Sequence, residues 1–180
     1  MIGSLWFNSF SAGGAPAAAD AYELIATSFG TGASNTVTFS TIPAGYKHLQ
    51  LRFSALVNTG IPYMGIRLNG DTGSNYAYHF LLGTGSSVLS GSATAQTSVI
   101  NLGFSAGMSA SIPTSGVTDI LDAFSTNKNT TVRTLNGNTG ELVLSSGVWL
   151  NTAAVTSVSA FLQSGVFTTS SRFSLYGLKG

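Results

Sequence analysis

The stretch Lys47-His48-Leu49-Gln50-Leu51-Arg52-Phe53 decides the fold class. Successive side chains of a strand point to opposite sides, so Leu49, Leu51 and Phe53 share one face and His48, Gln50 and Arg52 the other. One apolar and one polar face mark a half-buried strand of an antiparallel sheet. The same period of two places Val37 and Phe39 among Thr36, Thr38 and Ser40, and sets Met64, Ile66 and Leu68 against an outward Arg67. Asn69-Gly70-Asp71-Thr72-Gly73 then supplies a tight turn from residues that tolerate positive φ. Further strands are expected at Tyr76 to Leu82, Ser98 to Phe104, Thr131 to Leu135, Glu141 to Leu150, Val155 to Leu162 and Arg172 to Leu178. Val117 to Phe124 also fits a short helical face, but Gly116 and the Thr/Asn-rich flanks favour a strand with a bulge. Turn signals about every 8 to 15 residues suit an all-β, antiparallel two-sheet sandwich of jelly-roll-like type.

The 180 residues allow one domain with short extensions. Residues 1–21 read as an extended N-terminal arm, carrying Leu5, Trp6, Phe7 and Phe10, followed by a Gly/Ala linker at Ser11 to Ala19. Residues 22–180 form the sandwich domain. The opening apolar run lacks the basic segment of a secretory signal, and no stretch approaches the roughly 20 apolar residues of a membrane helix. No membrane partner is expected.

Charged residues are 7% of the chain, against about 25% in an ordinary soluble protein, and the formal net charge is +1. A dispersed monomer normally carries more charge than this, so the composition points to a subunit of an assembly. Seven basic residues scattered from Lys47 to Lys179 make no stripe for phosphates, and no nucleic-acid partner is expected. The absence of cysteine removes disulfide staples, a thiolate nucleophile and the commonest structural zinc sites.

With two histidines and six acids, catalytic constellations can be checked almost one by one. No Gly-x-Ser-x-Gly elbow surrounds any serine. Asp119 and Asp122, three apart on a strand, point to opposite faces and do not make the acid pair of a glycosidase. Asn69, Asp71 and Thr72 resemble half a calcium loop, but the twelfth position holds Phe80 where glutamate is needed, and a hairpin explains the same residues. His48 and His79 read as surface histidines. No catalytic residue, metal or cofactor is expected. Tyr22, Tyr46, Tyr63, Tyr76, Tyr78 and Trp149 remain as aromatics that either fill the core or present faces to a sugar or a protein.

Residues 46–52 (YKHLQLR), 68–76 (LNGDTGSNY), 119–122 (DILD), 126–133 (TNKNTTVR), 148–154 (VWLNTAA) and the ending 173–180 (FSLYGLKG) resemble a family of small proteins encoded in the structural-gene regions of tailed bacteriophages. The resemblance spans about residues 22 to 180 and implies a virion component, with no catalytic residues to carry over. The resulting expectation is a capsid decoration, or cement, protein: a homotrimer seated between major capsid subunits, its arm anchored by Leu5, Trp6, Phe7 and Phe10. The alternative is a tail-fibre or baseplate carbohydrate-binding module that contacts glycan through Tyr63 and Tyr78.

Overall fold

The computed structural model describes residues 21–58, 63–103 and 111–180, apart from the side chains of 100–103. The arm anchors Leu5, Trp6, Phe7 and Phe10 therefore lie outside the described residues, as do Ile61 and Pro62. The described chain contains no helix. Its strands are β1 (Tyr22–Phe29), β2 (Thr36–Phe39), β3 (His48–Ala55), β4 (Met64–Leu68), β5 (Tyr76–Gly83), β6 (Val88–Gln96), β7 (Val99–Gly103), β8 (Thr114–Leu121), β9 (Thr130–Gly137), β10 (Leu142–Trp149), β11 (Val158–Leu162) and β12 (Arg172–Leu178).

They form an eight-stranded sheet in the order β1-β12-β3-β8-β9-β10-β5-β6 and a four-stranded sheet in the order β2-β11-β4-β7. Every pairing is antiparallel. Four of the pairs are nested in sequence, β1 with β12, β2 with β11, β3 with β8 and β4 with β7, and successive pairs alternate between the sheets. Two hairpin excursions, β5-β6 and β9-β10, widen the larger sheet on one side only.

The core lies between the inner faces of the two sheets. Leu49, Leu51 and Phe53 of β3 are buried as their alternation requires, and Ile120, Val132, Phe173 and Leu175 continue the same face. They meet Val37, Met64, Ile66, Leu68, Val158 and Ala160 from the smaller sheet. Phe173 stacks on Phe53 at 6.3 Å and takes the edge of Phe167 at 4.9 Å. Tyr76 and Trp149, open to a surface role on sequence grounds, are core residues stacked on each other at 6.4 Å.

The turn after β4 forms as its sequence demands, with Asn69 and Gly70 both at positive φ. Asp71 holds it shut. Its Oδ1 accepts from the Gly73 amide at 2.7 Å, and its Oδ2 accepts from Asn75 Nδ2 at 2.9 Å and from the Trp149 indole at 2.7 Å. The Asn69 carboxamide accepts from the amides of Thr156 and Ser157 and donates to the Ala154 carbonyl. The Asn69 and Asp71 side chains are thus engaged inside the fold.

The Trp149 indole, followed by the Asn75 amide, holds the Asp71 carboxyl below the usual carboxylate range. A carboxylate depressed in the folded state adds stability that is complete above its unfolded pKa, about 3.9, and is lost as the pH falls through the folded value. The urea midpoint is therefore expected to drop as the pH falls below about 5, and to drop less in Asp71→Asn. An equal drop in the two proteins would remove Asp71 from this role.

The ambiguous segment is a strand up to Leu121, and it ends at Asp122, which takes a positive φ. Asp119 and Asp122 are held by different bases, Arg133 at 3.0 Å and Lys128 at 2.7 Å.

Candidate functional site

The two sheets differ on their outer faces. On the smaller sheet polar groups cover the described outward positions: Thr38 bonds Ser159 at 3.0 Å, and the Arg67 guanidinium lies over the outward Phe161 ring at 4.1 Å while its Nε donates to the Thr97 carbonyl. Such a face is suited to water. The larger sheet carries the opposite chemistry on one half of its outer surface.

There the register brings leucines into one line across the strands. Val117 of β8 stands beside Leu135 of β9, Leu135 beside Leu144 of β10, and Leu144 beside Leu81 of β5. Leu142 flanks the line, and the five side chains range from 37% exposed at Val117 to 58% at Leu142. With strands about 4.8 Å apart the line runs about 15 Å. Val88 on the edge strand β6 is 76% exposed and sits directly across from Gly83. Single exposed leucines are ordinary, but a contiguous apolar row on a sheet face marks a place where another surface packs.

A polar row runs parallel to it, one pleat away. Gln50 Nε2 donates to Asp119 Oδ1 at 2.8 Å and Arg133 donates to Asp119 Oδ2 at 3.0 Å, while Arg52, which pairs with Val117 at the end of the apolar line, reaches across to donate from Nε to Gln50 Oε1 at 2.7 Å. Arg52 itself is held between the rings of Tyr22 and Tyr176, at 5.0 and 4.5 Å. Ser146 and His79 continue this row on β10 and β5. Between the rows the face hollows into a depression of about 460 Å³ against Leu81, Leu144, His79, Ser92, Arg133 and Ser146.

The two edges of the large sheet are also treated differently. At β1 a bulge between Leu24 and Ala26 and the Glu23–Lys179 ion pair, 2.8 Å, interrupt the edge. At β6 the sequence Val88-Leu89-Ser90-Gly91-Ser92-Ala93-Thr94-Ala95-Gln96 has no charge and no proline, and between Asp71 and Asp119 the chain has no Asp, Glu, Lys or Arg at all. Natural sheets usually blunt an exposed edge with such residues.

Of the tyrosines named for sugar binding, Tyr78 follows the inward parity of β5 and packs partly against the core, and burial raises its pKa, with a smaller contribution from Tyr63. Tyr78 thus lies on the other side of the sheet from the apolar row. Among the described residues no group of three His, Asp or Glu side chains stands close enough to hold a metal ion. The chain matches no family model, no curated protein and no solved structure.

Proposed function

We propose that this chain is a structural subunit of a tailed-bacteriophage particle, placed on the capsid lattice as a decoration protein. The observation that carries the proposal is the exposed apolar row Val117-Leu135-Leu144-Leu81 on the outer face of the larger sheet, a surface that gains by being covered. The nested strand pairs support it, because nesting of this kind is what a jelly roll, an architecture shared by many capsid domains, would require. The likeness of residues 22–180 to proteins from phage structural-gene regions points the same way. In this reading the chain's work is mechanical. Many copies, each of modest affinity, add buried area to a shell under internal pressure, and symmetry multiplies the effect. Leu5, Trp6, Phe7 and Phe10 are the proposed anchors to shell subunits.

The test is a density-gradient purification of particles from cells that express this gene, followed by peptide quantification. The proposal expects copy numbers comparable to the major shell protein, and particles lacking the chain that release DNA at a lower temperature. A handful of copies per particle moves the protein to the tail, and absence from purified particles overturns the proposal.

A further inference from the structure

We propose that the apolar half of the large sheet packs against the same face of a second copy of this chain, about a two-fold axis that runs parallel to the strands between β9 and β10. The inference deepens the assembly reading and rests on it only for its biological setting.

The face is complementary to itself. Such an axis keeps each row in place and reverses the strand order, so β9 faces β10 of the second copy and β8 faces β5. Leu135 then meets Leu144, and Val117 meets Leu81, at two equivalent places. The polar row meets itself as well: Arg133 falls opposite Ser146, and the Asp119 carboxylate opposite His79. Apolar lies on apolar, and the acid finds a donor instead of another acid.

Shape follows the same symmetry. The depression of about 460 Å³ lies mainly on the β10-β5-β6 side, and Val117 and Leu135 stand on the β8-β9 side. The two-fold brings these two side chains of each copy over the depression of the other.

The area also suffices. Six strands, β3 to β6 in sheet order, at about 4.8 Å spacing and about eight residues long make a face of about 750 Å². Stable interfaces typically bury about 800 Å² per partner, so this face, counted with the polar flank on β3 beside the apolar half, is close to that size. Two sheets packed in this way lie about 10 Å apart with their strands within about 30° of parallel, which the antiparallel pleat accommodates. An isologous contact closes at two copies, so the unit formed is a dimer, in place of the homotrimer expected for a decoration protein.

The experiment measures mass in solution by light scattering on the full chain. Wild type is expected as a dimer. Leu144→Asp and Leu135→Lys are each expected to give monomer, since every substitution appears at two places and about tenfold at each raises the dissociation constant about 100-fold. Both side chains point outward from the sheet, and circular dichroism checks that each variant stays folded. Mixing the two variants is expected to restore a dimer, because one of the two equivalent contacts then sets the introduced carboxylate against the introduced ammonium and the other keeps leucine on leucine. A monomeric wild type, dimers that survive both substitutions, or variants that fail to recombine would overturn the proposal. Loss of the dimer only on deletion of residues 2–12 would also overturn it, by making the N-terminal segment the occupant. Because the readout needs no virion, its failure is separate from failure of the decoration reading.

Discussion

Trp149→Ala is expected to lower the free energy of unfolding by about 3–5 kcal/mol, the usual range for emptying a large aromatic site in a core. Trp149 is 1% exposed at the end of β10, stacked on Tyr76 and bonded through its indole to Asp71. Truncation leaves a cavity between the sheets and removes a donor from the carboxylate that closes the β4-β5 turn. Since a domain of this size has only about 5–15 kcal/mol in total, the loss is a large fraction of its stability. Urea unfolding followed by circular dichroism measures it. Trp149→Phe separates the two causes, because it keeps most of the ring volume but not the hydrogen bond. A loss under about 1 kcal/mol for the alanine variant would mean that the site collapses and that the indole is not a keystone.

Gly30→Ala is expected to cost about 3 kcal/mol by overpacking, although it adds a single methyl group. Gly30 follows β1 where the chain passes under the 167–171 turn, and its amide donates to the Ser171 carbonyl at 3.0 Å. A Cβ built there collides with the Thr168 carbonyl oxygen and falls 2.9 Å from the Phe167 Cβ. The obstacle is backbone, which cannot rotate away, and Phe167 is itself fully buried against Phe173. Relief requires β1 to lift from β12 at the edge of the large sheet. Gly83→Ala is the control, since nothing lies within 4 Å of its Cβ position, and it is expected to change stability by less than about 0.5 kcal/mol. Equal stability of the two variants would contradict the close approach at Gly30.

The fold was largely legible because its central strands alternate strictly. β3 buries Leu49, Leu51 and Phe53, and β9 buries Thr130, Val132, Thr134 and Asn136 on one side only. Two strands were not legible as such. β1 contains a bulge that breaks the period of two, and β6 is built largely from Ser, Ala, Gly and Thr, a composition that reads as turn and forms a strand only because β5 templates it along one edge. Gln50 illustrates a subtler gap. It lies on the polar face of β3 as expected, yet it is 7% exposed, because Arg52 and Asp119 enclose its carboxamide.

The candidate face escaped the sequence for a physical reason. Alternation with one apolar and one polar side leaves the outer side to polar residues, and Leu135, Leu144 and Leu81 occupy that outer side. A signal was present: Phe80-Leu81-Leu82 and Leu142-Val143-Leu144 are unbroken apolar runs, the mark of a strand covered on both faces. Their inner members Leu82 and Val143 are buried, while the outer members Leu81, Leu142 and Leu144 are exposed in a single copy. Tyr76 and Trp149 were open to either a core or a surface role, and strand parity sends both inward.

The most direct measurement of the central claim is cryo-electron microscopy of particles from cells that express this gene, read for where the sandwich sits and what lies against the outer face of its larger sheet. The expected result is repeated sandwiches on the capsid lattice, paired through Val117, Leu135, Leu144 and Leu81, with residues 1–20 against shell subunits. Sandwiches whose leucine row faces solvent, or particles without the chain, would contradict it.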